Sequence, residues 1–126
     1  MPKGYILAAH RSPANSEKRE AYIKLALPAI ASAGGKFIAQ TTDIIAKENG
    51  KNERTVLVEF ESLEKAIQAY NSNDYQKALK ALDNGSDRDL RIFEVFNFYF
   101  KGLKFQFLFF LNDLNKFAVF YLNTII

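Results

Sequence analysis

The chain contains no cysteine and no tryptophan, one histidine (His10) and one methionine (Met1). Without cysteine, disulfides, thiolate nucleophiles and Cys-ligated zinc or iron–sulfur centres are excluded. A lone histidine removes every site built on two His ligands, and no metal ligand set is assigned. No glycine-rich phosphate loop is present, because the Gly34-Gly35 pair follows a helical pattern instead of opening one. No serine sits on a recognisable nucleophile elbow. Any cofactor would have to be held without a covalent link, and none is expected.

A basic stripe is also missing. The 17 Lys and Arg outnumber the 14 Asp and Glu by only three. Over residues 1–96 the 14 basic and 13 acidic side chains are interleaved. A surface that tracks phosphates shows clustered cations, so nucleic-acid binding is not expected. The first apolar run is only Tyr5 to Ala9, shorter than a signal-peptide core of roughly 7–15 residues. Nothing there directs export, and a cytoplasmic location is expected.

What is present reads as one domain followed by an extension. The 126 residues fit one domain on length, and the chain is long enough to fold without staples. Tyr5 to Ala9, bounded by Gly4 and by His10-Arg11-Ser12-Pro13, suits a buried strand. Alternation puts Tyr5, Leu7 and Ala9 on one face, with Ile6, Ala8 and His10 on the other. Asn15 or Ser16 can cap the following helix, whose expected core stripe is Tyr22, Leu25, Ala26, Ala29 and Ala33. Pro28 lies inside that pattern and is expected to kink it. Gly34 is a natural left-handed cap at its end.

Lys36 to about Ala46 reads as a second strand, irregular at its far end, and Asn49-Gly50 marks a hairpin loop. Thr55 to Phe60 is the clearest strand, with Val56, Val58 and Phe60 opposed to Leu57 and Glu59. Ser62 caps a helix with Leu63, Ala66, Ile67 and Tyr70 in register. The cluster Asn71-Ser72-Asn73-Asp74 breaks it, and a second piece carries Tyr75, Ala78, Leu79 and Leu82. Leu90 to Val95 is the last strand. The order is that of an α+β, ferredoxin-like β-α-β-β-α-β sandwich over residues 1–96. Its first and third strands meet at the sheet centre, and the helices lie on one face. The other face is substantially apolar and needs a partner. Two such sheets face to face form a dimeric α/β barrel, so a homodimer is expected.

Several runs come in the order of a known small-protein family. They are Gly4-Tyr5-Ile6-Leu7-Ala8, Tyr22 with Pro28-Ala29-Ile30, and Gly34-Gly35-Lys36-Phe37. They continue with Arg54 through Phe60, Ser62-Leu63-Glu64-Lys65-Ala66, Tyr70-Asn71-Ser72, Asp74-Tyr75-Gln76 and Arg88 through Glu94. Together they resemble the bacterial domain-of-unknown-function family 1330 of the dimeric α/β-barrel superfamily, over about residues 3–95. The resemblance implies a ferredoxin-like fold and a dimer, and no established activity. The wider superfamily includes cofactor-free monooxygenases, lactone isomerases and haem-handling proteins, so one scaffold hosts several chemistries.

Family members of this kind usually stop soon after the Ile-Phe-Glu strand. Here residues 97–126 follow, holding eight of the twelve phenylalanines. Leu103, Phe107, Phe110, Leu114, Phe117 and Tyr121 recur at helical spacing. Asn112, Asp113, Asn115 and Lys116 interrupt what a membrane span would need, about 20 mainly apolar residues. Three readings of this Phe-rich extension stay open: an extra packed helix, a membrane-surface segment, or an unselected extension of AT-rich codon type.

Two catalytic candidates emerge. His10, at the end of the first strand, suits a general base working without a metal, or is a plain loop histidine. Glu59 on the Leu57 face is either an ion-paired carboxylate or an acid/base group in a pocket. Tyr22 and Tyr70, with amphipathic rings at helical spacing, and Arg54 and Arg91, as cationic partners, complete the set as ligand-binding candidates. Tyr75 shares the amphipathic character. Arg88 and Arg91, beside Asp87 and Asp89, read as salt-bridged. Two functions stay open. One is a small dimeric domain that binds a small metabolite or serves a structural role, without established catalysis. The other is a cofactor-independent monooxygenase or isomerase, in which His10 or Glu59 takes a proton and Arg54 or Arg91 stabilises the oxyanion.

Overall fold

The computed structural model describes residues 2–96, and the Phe-rich extension lies outside the described residues. The elements run β1 (Gly4–His10), α1 (Ser16–Ser32), β2 (Lys36–Thr41), β3 (Thr55–Phe60), α2 (Leu63–Asn71), α3 (Asn73–Leu82) and β4 (Arg88–Glu94). One four-stranded sheet has the order β2-β3-β1-β4, every neighbour antiparallel. This is the ferredoxin-like layout expected above, with its second helix in two pieces.

Local chemistry explains the element ends. The Asn15 side chain accepts from the Lys18 backbone N–H at 3.0 Å and caps α1. Gly34, with φ of +87°, follows the last turn in the left-handed conformation that closes helices cheaply only for glycine. Ser62 caps α2 through the Lys65 N–H. Ser72 serves both neighbouring helices: its hydroxyl donates to the Ala69 carbonyl at 2.8 Å and accepts from the Tyr75 N–H at 3.2 Å. At Gly4 a Cβ would run into the Ser62 backbone, so the β1 start can lie tight under the entry to α2 only as glycine.

The core forms on one face of the sheet. Ile6, Val58 and Phe60 meet Tyr22, Ala26, Ala29 and Ile30 of α1, Ala66 and Ala69 of α2, and Tyr75, Ala78 and Leu82 of α3. Two expected core positions turn outward. Leu25 is 44 % exposed and Ile30 takes its place; Ile67 is 42 % exposed and Ala69 is buried instead. At about 100° per residue the face centred on Tyr22, Ala26, Ala29 and Ala33 turns toward Ile30 and Ile23, leaving Leu25 at its margin. The second strand stops at Thr41 rather than near Ala46. It has lost its partner there, since β3 begins only at Thr55, which pairs with Thr41. Ile45 beyond it is 85 % exposed, so β-branched composition alone did not hold that stretch in the sheet. The last strand begins at Arg88, two residues before the expected start.

Candidate functional site

The covered face of the sheet ends, at one edge of the layer, in a row of cationic side chains. His10 is the last residue of β1, on the helix-facing side with Ile6 and Ala8, and is 8 % exposed. In the β1–β4 pair its register partner is Arg88. On the other side its backbone N–H donates to the Arg54 carbonyl at 2.9 Å. Arg54 and Arg88 share the parity of the core residues Val56 and Val58, and of Leu90 and Ile92, so alternation turns them to the same face. Arg19 overlooks them from α1, one turn before Tyr22 and Ile23. The loop before β4 is held to the start of α1 by Asn15 N–H donating to the Gly85 carbonyl at 2.7 Å and by the Lys18–Asp83 ion pair at 3.2 Å.

His10, Arg19, Arg54 and Arg88 line a narrow cleft of about 50 Å³ between α1 and the sheet. Its walls are otherwise mostly apolar, among them Ile6, Ile23, Phe37, Val56 and Leu90. Ala8 and Ala26 also line it, and their small side chains leave space that a larger residue would fill. His10, Arg19 and Arg54 also border a wider outer depression of about 670 Å³, which places them at the mouth. Deeper, the Tyr22 and Tyr75 hydroxyls lie 2.8 Å apart. Arg88 donates to the Tyr22 oxygen at 3.2 Å, with its guanidinium carbon 5.2 Å from the centre of the same ring.

The electrostatics are those of a cationic cup. Burial first, then the charges of Arg88, Arg19 and Arg54, hold the His10 pKa below its ordinary value. The imidazole is therefore neutral at neutral pH. Burial, then Arg54, lowers the Arg19 pKa as well. Burial, then the Tyr22 charge and hydrogen bond, raises that of Tyr75, which stays a phenol. Among the described residues no carboxylate lies within ion-pair distance of Arg19, Arg54 or Arg88. Also among them, no cluster of three His, Asp or Glu could hold a metal, and no helix is long and apolar enough to cross a membrane.

The structure sorts the six candidates into three places. His10, Tyr22 and Arg54 come together in the cleft. Glu59 and Arg91 lie on the opposite, open face. Glu59 accepts from the Tyr5 hydroxyl at 2.8 Å, and Arg91 makes a two-pronged pair with Asp89 at 3.1 Å. The sheet itself separates Glu59 from His10. Tyr70 packs its ring 5.3 Å from that of Tyr75, outside the cleft lining. Arg88 corrects the sequence reading: its contacts are with Tyr22, whereas Arg91 does form the expected salt bridge. Arg19, Arg88 and Tyr75 were not singled out as site residues. A signal for Arg19 existed, because it stands at core register with Tyr22, Ile23 and Ala26, where a charge is out of place.

The fold and cleft define a ferredoxin-like α+β domain with a helix-covered pocket. The chain belongs to the DUF1330 family, a domain of unknown function, whose pattern it matches over residues 3–96. No curated protein matches it. Solved structures similar to it share the fold at low identity. A protein of unknown function from Rhodopseudomonas palustris is 17 % identical with a TM-score of 0.58, over 76 % of this chain and 84 % of its own. A candidate antibiotic biosynthesis monooxygenase from Caulobacter crescentus is 13 % identical with a TM-score of 0.53, over 76 % and 92 %. A hypothetical Arabidopsis thaliana protein is 15 % identical with a TM-score of 0.53, over 79 % and 92 %.

Proposed function

We propose that the protein is a homodimeric cytoplasmic domain that binds a small amphipathic acid in the cleft between α1 and the sheet. One observation carries this reading: Arg19, Arg54 and Arg88 converge on an apolar cleft without a carboxylate partner among the described residues. Cations brought together and partly desolvated repel one another and lose hydration. An anionic headgroup at His10 and the arginines offsets both costs, while the apolar walls take the rest of the molecule. The second copy covers the open face, where Tyr5 stacks on Phe93 at 5.7 Å beside Leu7 and Leu57. Glu59 and Arg91 belong to that dimer face. A lack of cysteine suits a reducing compartment.

A thermal melt of the full chain against aromatic and branched-chain carboxylates tests the binding. A hundredfold excess over the dissociation constant stabilises by about 2.7 kcal/mol. No shift with any acid overturns the reading, and so does a shift that is undiminished in Arg54→Met. Light scattering at micromolar concentration tests the dimer, and a monomer mass would end it.

A second reading has one specific observation behind it. His10 is held neutral among guanidinium groups, which is the state of a general base beside groups that stabilise an oxyanion. In that reading the bound acid or ketone loses an α-proton to His10. Exchange of the α-hydrogens into D₂O that persists in His10→Asn rules His10 out as the base.

A further inference from the structure

The hydroxyl pair at the cleft floor leaves one hydrogen unspent. Tyr22 and Tyr75 are 8 % and 4 % exposed, and both line the cleft. Each phenol carries one O–H donor. The Tyr22 oxygen already accepts from Arg88, and the 2.8 Å contact between the hydroxyls consumes one of the two hydrogens, whichever group donates. Among the described residues no acceptor is present for the other. Arg88 has five N–H groups and no carboxylate partner there. A buried donor without an acceptor is costly, by about 1–3 kcal/mol, and buried polar groups normally have partners.

We propose that Tyr22, Tyr75 and Arg88 form a subsite for a second, uncharged oxygen of the ligand, so that the acid bound is a 2-oxo or 2-hydroxy acid rather than a simple carboxylate. This rests on the cleft reading above and names its ligand class. The separation of the two oxygens follows from the sheet. Arg88 is the cross-strand partner of His10 and donates to Tyr22. The guanidinium of Arg88 therefore touches the Tyr22 phenol while its strand position places it beside His10, so a carboxylate held by Arg88 would lie next to the hydroxyl pair. With the carboxylate on Arg88, an acceptor oxygen on the adjacent carbon is the one placed to meet the phenol that Arg88 already contacts. The apolar cleft beyond, past Ala8 and Ala26, receives the side chain of the acid.

Calorimetric titration of the full chain with 4-methyl-2-oxopentanoate and with 4-methylpentanoate isolates that oxygen. The oxo acid is expected to bind about tenfold tighter, the value of one hydrogen bond in such a site. The double variant Tyr22→Phe with Tyr75→Phe, which removes both hydroxyls without changing the rings, should bring the two acids to within about threefold of each other, whereas either single variant keeps one free O–H and most of the preference. Equal affinity of the wild-type protein for the two acids overturns this inference and leaves the cleft reading standing. A tenfold preference that survives in the folded double variant also overturns it. Binding of neither acid at millimolar concentration removes the cleft reading, and this inference with it.

Discussion

The two faces of the sheet carry similar numbers of polar side chains and treat them in opposite ways. On the open face the polar groups are matched in place: Tyr5 with Glu59, Arg91 with Asp89, and nearby Lys3 with Glu61 at 3.2 Å. On the covered face His10, Arg54 and Arg88 stand side by side under Arg19, and among the described residues no carboxylate lies within ion-pair distance of these arginines. Matched charges in water contribute little and ask for nothing further. Unmatched charges half-withdrawn from water are a standing cost, which a fold keeps when a ligand offsets it. The difference locates the candidate site on the covered face, although the open face has as many charges.

The largest effect that would break the comparison is loss of the covered face itself. Phe60 is 1 % exposed at the centre of the core. Phe60→Ala should cost about 3–5 kcal/mol, read by chemical denaturation. Phe93→Ala on the open face should cost less than that where the protein is monomeric and more as the proposed dimer forms and covers the ring; a cost independent of protein concentration would argue against that cover.

Next comes binding without folding. Arg19→Met and Arg54→Met should each weaken acid binding by about tenfold or more, the value of a charge-assisted hydrogen bond. Neither should lower the melting temperature of the ligand-free protein, and Arg19→Met should raise it modestly by relieving the repulsion from Arg54. A ligand-free variant that melts markedly lower would show that the arginines have structural partners instead.

A third effect is smaller and depends on pH. The folded-state pKa of His10 lies below its unfolded value of about 6.5, so the unfolded chain binds more protons between the two values. His10 therefore leaves stability intact above about pH 6.5 and lowers it as pH falls through the folded-state value. His10→Asn should flatten that limb of the pH–stability curve, since the sequence has no other histidine. A bound anion raises the His10 pKa, so acid affinity should increase over the same range. An unchanged limb in the variant would mean that other groups set it.

The smallest expected effect is on the open face. Asp89→Asn removes the partner of Arg91; Arg91 is exposed and Asp89 half-buried. Its melting temperature should match that of the parent within error at physiological salt. A clear drop that depends on protein concentration would place the pair in the desolvated centre of the proposed dimer face rather than at its wet rim.

Much of the fold was legible in the residues. Period-two alternation in Tyr5–Ala9 and Thr55–Phe60, caps at Asn15, Ser62 and Gly34, and the break at Asn71-Ser72 are local signals, and local physics honours them. The candidate site was legible only in part. His10, Tyr22 and Arg54 were singled out and share the cleft, while Glu59 and Arg91 were singled out and lie across the sheet. The missing information was register. Once Tyr5 is paired with Glu59 and His10 with Arg88, alternation decides which side chains can meet, and no residue type or spacing within one segment supplies that pairing. Arg88 was misread because its strand starts earlier than its apolar run: the backbone follows the neighbouring strand, not the hydropathy.

By itself the sequence determined the element order, the helix ends and the exclusion of thiol and two-histidine chemistry, because those depend on a residue and its neighbours within a turn or two. Only the tertiary structure decided that three arginines scattered over residues 19, 54 and 88 stand together around the one histidine. Interleaved charges that look balanced along the chain are separated when strands distant in sequence pair, and the potential at a site depends on distance in space.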